Sequence, residues 1–144
     1  MVLKEQAGKP ADLALRRFGL GLSRGDDRDA VVDFTVALEA VLLRDKIGSR
    51  GIGGRFADNG KVYLASSVEG RRTRRRELHR LYETRKALVH GGSAEELVKA
   101  LTELPEVANS AREVVRATLT RALTVGWPTQ MIFDDLRSPS RPTA

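Results

Sequence analysis

The sequence predicts an all-α domain, a bundle of about five to six helices with no sheet. Three observations carry that prediction. Apolar residues recur at the helical period of about 3.6, caps and breakers punctuate them, and no stretch shows strand character or internal repetition. The chain has 144 residues, enough to bury one core and short for two domains. Charged residues make up 31% and hydrophobic ones 41%, which fits a folded helical protein rather than a disordered or membrane chain. No apolar run approaches the roughly 18 residues of a membrane-spanning helix. The start, Met1 to Gln6, lacks the apolar core of a signal peptide. No membrane partner and a cytoplasmic location are therefore expected.

Residues 1–9 read as a flexible N-terminus, 10–136 as the single helical domain and 137–144 as a disordered tail rich in Ser and Pro. Pro10 suits the first turn of a helix, and residues 11–22 continue it with Leu13, Leu15, Phe18 and Leu22. Asp26 or Asp27 can cap the next helix. That helix, from Arg28 to about Lys46, is apolar nearly all round and should be buried on several sides. Glu39 falls on its secondary stripe with Val32, Val36 and Leu43; a buried acid needs a cation or donors.

Residues 48–55 hold four glycines in seven positions but match neither a P-loop nor a dinucleotide turn, so a loop is expected. Asp58-Asn59-Gly60 has turn chemistry, and residues 62–68 form a short helix before Gly70. The arginine cluster opens a long helix ending at His90 and Gly91-Gly92. Ser93, followed by Glu95 and Glu96, caps a short helix through Leu101. Pro105 can start the last long helix, which carries Val107, Ala111, Val114, Val115, Thr118, Leu119, Ala122 and Leu123. Gly126-Trp127-Pro128 stops it, and residues 129–136 form a short apolar helix folded back on the bundle.

The absence of cysteine removes disulfides, zinc ribbons, thiolate nucleophiles and redox chemistry. With two histidines and no His-Glu-x-x-His or EF-hand pattern, neither a metal nor another cofactor is expected. The net charge of +6 is uneven: Arg71, Arg72, Arg74, Arg75, Arg76 and Arg80 crowd into ten positions. Such a cluster favours a polyanion, with a solvated helix start as the plain alternative. Arg72, Arg76 and Arg80, four apart, form one ridge.

The stretch from Leu78 to Gly92 is the most unusual. Its apolar stripe runs Leu78, Leu81, Tyr82, Leu88 and Val89, with Arg85 at the centre. Burying a guanidinium is costly unless it is paired, and Glu39 is the obvious partner within the chain. His90, at the helix end, is one of only two histidines. Histidine changes charge nearest neutral pH, and arginine matches a phosphate. Cleavage of RNA without a metal needs a base for the 2′-hydroxyl, an acid for the 5′-oxygen and a cation for the phosphorane. One chain offers one well placed histidine, so a two-fold dimer would complete the set. The plain reading is a surface histidine beside a snorkelling arginine.

The run Leu81-Tyr82-Glu83-Thr84-Arg85-Lys86-Ala87-Leu88-Val89-His90-Gly91 resembles the Tyr-x-x-Arg-x-x-x-Val-His-Gly signature of the HEPN (higher eukaryotes and prokaryotes nucleotide-binding) superfamily in its Apea-like branch. Ala37-Leu38-Glu39-Ala40 is similar to the Ala-Leu-Glu segment upstream in that branch. The resemblance covers roughly residues 12–136. It implies a helical bundle that dimerises and, in active members, a metal-independent endoribonuclease of toxin or antiviral-defence type. Arg85 would hold the phosphate and His90 would transfer protons, with Glu39, Tyr82 and Lys86 supporting. From their clustered charge, and not from the resemblance, Arg71, Arg72, Arg75, Arg76 and Arg80 are expected to bind RNA, and an antitoxin or companion protein could control the activity. Many active members place Asn, Asp or His where Lys86 stands. A non-catalytic module binding RNA or a nucleotide, or a partner or sensor domain, is therefore the alternative.

Overall fold

The protein, seen as a computed structural model, is described over residues 2–44 and 51–138. These residues form six α-helices and no strand. Residues 139–144 of the tail predicted at 137–144, Gly48 of the predicted loop and the predicted helix end at 45–46 lie outside the described residues.

Helix α1 spans Val2–Ser23 with Pro10 inside it rather than at its start, so residues 2–9, expected as a flexible lead, belong to its backbone. A proline inside a helix removes one backbone bond and strains one turn. The buried Ala11 and Ala14, with Phe18 packed on the core, hold the helix beyond that turn. Helix α2, Asp27–Leu42, begins at Asp26, whose side chain accepts from the Arg28 N–H. It buries Val31, Phe34, Ala37, Leu38, Val41 and Leu42 almost completely. Phe34 meets Phe18 at 6.0 Å between ring centroids. The buried carboxylate of Asp33 accepts hydrogen bonds of 2.9 Å from both Arg17 and Arg24, clamping α1 to α2.

Helix α3 runs Ile52–Leu64. It absorbs Gly53 and Gly54 of the glycine run and the Asp58-Asn59-Gly60 segment, where a loop, a turn and then a short helix were expected. Packing overrides the local preference here. A Cβ on Gly60 would collide with Leu78 and press on Leu42, and one on Gly53 would stand 2.9 Å from the Tyr82 ring. The glycines thus allow α3 to lie close against α4. Asn59, fully buried, donates to the Leu42 carbonyl at 2.8 Å and to Gln130 at 3.0 Å.

Helix α4, Val68–His90, is capped by Ser67 and includes the whole arginine cluster, as the sequence predicts. Gly91 ends it with φ 73°, a left-handed geometry that favours glycine. Helix α5 is continuous over Ala94–Val125. It begins at the expected Ser93 cap but contains Pro105, where a helix break was predicted. The apolar stripe explains the continuity, because Ala100, Leu104, Val107, Ala108 and Ala111 keep one buried face across the proline. Helix α6, Gln130–Arg137, starts at Thr129 and buries Phe133. It is tied back by Arg71, which donates to the Leu136 carbonyl at 3.0 Å. Among the described residues no helix is long and apolar enough to cross a membrane.

Candidate functional site

Helix α4 carries nearly every residue the sequence singles out. On the side facing the bundle, Leu78, Leu81, Thr84 and Ala87 are buried, while Tyr82 and Leu88 are half-buried against the core. Val89, expected on that stripe, is 47% exposed, since the last turn runs past its neighbours. The Tyr82 ring lies 5.5 Å from that of Phe56 and against Gly53, so this tyrosine is wedged onto α3.

Arg85 sits one turn beyond Leu81 and Tyr82, half-buried. Its Nε is buried and has no hydrogen-bond partner among the described residues. Among the described residues no ion pair joins Arg85 to Glu39, which is half-buried on α2. The pairing expected from the sequence is therefore not made. A guanidinium placed this way is costly, because a buried donor left unmade forfeits its hydration.

His90 is the last residue of α4 and is exposed, as is Lys86. Five residues of regular helix separate Arg85 from His90, a rotation of about 140° and a rise of about 7.5 Å. One chain therefore holds Arg85 toward the packed side and His90 toward solvent, and does not bring them to one point. His79 is about 17 Å further back along the helix axis, with Nε2 4.0 Å from a Glu83 carboxylate oxygen.

The arginine cluster divides in a way the sequence did not reveal. Arg71 donates to the carbonyls of Ala65 and Leu136 at 2.9 and 3.0 Å. Arg74 pairs with Glu77 and Glu113 at 3.2 and 3.1 Å, and Arg75 with Asp58 at 3.1 Å. Arg80 pairs with Glu103 at 3.5 Å and Glu106 at 3.1 Å. The hydrogen bond between Arg80 and Glu106 raises the pKa of the arginine and lowers that of the acid. Arg72 and Arg76 are exposed and form no ion pair among the described residues.

The acids on α5 are the functional neighbours that sequence reading missed. Glu96, Glu103, Glu106 and Glu113 are spaced seven, three and seven apart, which places them within about 100° of one another around the helix. That spacing, opposite an arginine-rich helix one tight turn away, was the available signal. Between α4 and α5 lies an open groove of about 570 Å³ with Thr84, Ala87 and Ala100 on its floor. Its rim mixes Arg76, His79, Arg80 and Lys99 with Glu83, Glu96 and Glu103. Neither Arg85 nor His90 lines it. The nearby N-terminus of α5 is already met by the Ser93 side chain, which accepts from the Glu96 N–H at 3.1 Å. Among the described residues no group of three or more His, Cys, Asp or Glu could hold a metal ion.

Compared with protein-family models, with curated proteins and with solved structures, the chain matches none.

Proposed function

We propose that the protein is a metal-independent endoribonuclease of toxin or defence type, working as a homodimer in which Arg85 and His90 of two copies meet at one cleft. The observation that carries this reading is Arg85: a half-buried cation set in an apolar stripe, with a buried Nε that no group among the described residues satisfies. Buried charges are ordinarily paired. An unpaired one marks the place of an anion supplied from outside. The planar guanidinium fork suits a phosphate oxygen pair, and the resemblance of residues 81–91 to the HEPN signature assigns this arginine that role.

The reaction follows from the groups in hand. A neutral His90 takes the 2′-hydroxyl proton, and the 2′-oxygen forms a bond to phosphorus. Arg85 balances the charge of the phosphorane. The bond to the 5′-oxygen breaks as the protonated His90 of the second copy delivers its proton, leaving a 2′,3′-cyclic phosphate. The 140° divergence of Arg85 and His90 within one chain supports the need for a second copy.

A second reading is a non-catalytic module that binds RNA or a nucleotide, or a partner or sensor domain. It is favoured by Lys86, an exposed lysine where many active members of the resembled branch carry Asn, Asp or His. The two readings separate in one experiment: incubation of the purified protein with mixed RNA in chelator, beside His90→Ala and Arg85→Ala. The wild type is expected to leave 2′,3′-cyclic phosphate ends and both variants to leave the RNA intact, with fold and self-association unchanged. Cleavage persisting in both variants refutes the assignment of these residues, and binding without product supports the second reading.

A further inference from the structure

We infer that the outward face of α4 is a contact rail for single-stranded RNA, formed by Arg72, Arg76 and Lys86 and ending at His90. The inference rests on the proposed RNA substrate and adds where the strand lies.

Six residues of α4 stand at spacings of four, three, four, three and four: Arg72, Arg76, His79, Glu83, Lys86 and His90. On a regular helix they fall within about 80° of one another and extend over about 27 Å. All six are exposed. None of Arg72, Arg76, Lys86 and His90 forms an ion pair or side-chain hydrogen bond among the described residues. The only contact within the row is that of His79 with Glu83, at 4.0 Å.

The remaining arginines of the helix are engaged elsewhere. Arg71, Arg74, Arg75 and Arg80 hold carbonyls or carboxylates of the bundle. Releasing one of them to bind a phosphate would break a contact that the fold uses, whereas a cation surrounded by water and counterions gives up only those. The positive charge available to a ligand therefore lies in the outward row. The predicted ridge of Arg72, Arg76 and Arg80 is displaced around the helix, because Glu103 and Glu106 neutralise its third member.

A straight row of point cations on a convex helix follows one backbone. In-line attack by a 2′-oxygen needs a strand free to leave A-form geometry, so the strand is single. No aromatic side chain interrupts the row to stack a base, and contact is then through phosphates and indifferent to sequence. Glu83, within the row, opposes the ligand and keeps binding weak.

The test uses a fluorescent 2′-O-methyl oligonucleotide, which lacks the 2′-hydroxyl and cannot be cleaved by this chemistry, with affinity measured against salt. Each single-strand phosphate contact contributes about 0.7 to the slope of log affinity on log salt. The Arg72→Ala/Arg76→Ala/Lys86→Ala variant should lose about 2 from the slope, while Glu83→Gln should bind more tightly than wild type. The control, Lys9→Ala/Arg16→Ala/Arg28→Ala, removes the same charge from exposed positions on α1 and α2 and should leave the slope unchanged. An unchanged slope in the α4 variant, or an equal fall in the control, overturns the rail. Cleavage of ordinary RNA is scored separately. A strand held by the rail but never cut would leave the rail standing and remove the endoribonuclease reading, and cutting with an unaltered slope would do the reverse.

Discussion

Replacing Arg85 by methionine should make the fold more stable while removing the proposed RNA cleavage. The side chain is half-buried one turn beyond Leu81 and Tyr82, and its Nε is buried without a partner. A buried donor left unmade costs about 1–3 kcal/mol, more when it carries charge, and replacing an ill-paired buried ion with an apolar side chain of similar length is often stabilising. Methionine keeps much of the stem that packs toward Leu81 and Leu88 and removes the donor, so a gain of about 1–2 kcal/mol is expected. With a urea dependence of about 2 kcal/mol per molar, the unfolding midpoint should rise by roughly 0.5–1 M with an unchanged slope. Trp127, the single tryptophan and 7% exposed, provides the fluorescence signal. Protein concentration must be held fixed, because the proposed self-association would add to apparent stability. The same variant should leave RNA uncut. A loss of more than about 1 kcal/mol would refute the reasoning, since it would mean that the guanidinium holds the fold together and is not reserved for a ligand.

Two further outcomes follow from buried polar groups. Asp33 is 2% exposed, whereas the Arg17 and Arg24 side chains that grip it are 39% and 40% exposed. Removing both arginines strands a buried carboxylate and should cost about 3–5 kcal/mol; Asp33→Ala leaves two cations that water can reach and should cost less in the same urea titration. The reverse order would refute the clamp. Tyr63 is 1% exposed, its hydroxyl has no partner, and burial pushes its pKa up to about 12. Arg121 lies over the ring face, 4.8 Å from its centroid, a stacking position rather than a hydrogen bond to the hydroxyl. The folded state retains the proton that an unfolded tyrosine loses near pH 10. Stability from this group is thus complete below pH 10 and lost between about 10 and 12. Tyr63→Phe should remove that part of the alkaline slope and leave stability at neutral pH equal or higher; a marked loss at neutral pH would show that the hydroxyl is satisfied.

Much of this architecture was legible in the residues, and the failures share a cause. The α2 core, the caps at Asp26 and Ser93 and the long α4 all follow from periodicity and capping, which are local. The prolines misled because local rules place them at helix starts, whereas Ala100, Leu104, Ala108 and Ala111 continue one buried stripe across Pro105 and tertiary burial prevails. The glycines of α3 misled because their purpose, close approach to Tyr82, Leu78 and Leu42, exists only once α4 is in place. At the candidate site, the oddness of Arg85 could be read directly from its place in an apolar stripe. Its lack of a partner could not, and Glu39 was a reasonable candidate in one dimension. The arginine cluster could be counted from the sequence, but a sequence does not say which of its cations already hold a carboxylate.

The fastening of α6 has a consequence for the order in which the molecule can form. Helix α1 meets α2, α3 meets α4 and α4 meets α5 as neighbours in the chain, and nearby elements can dock early. The contacts of the 127–137 region are different: Trp127 with Ala40, Gln130 with Asn59 and Leu136 with Arg71 join residues 87, 71 and 65 positions apart. During synthesis the partners on α2, α3 and α4 emerge long before the segment that closes over them. Asn59 must wait with its amide short of one partner, and Arg71 with one of its two carbonyls missing. These hydrogen bonds are therefore the last of their networks that can form during synthesis, and α6 completes at Asn59 and Arg71 sets already half made.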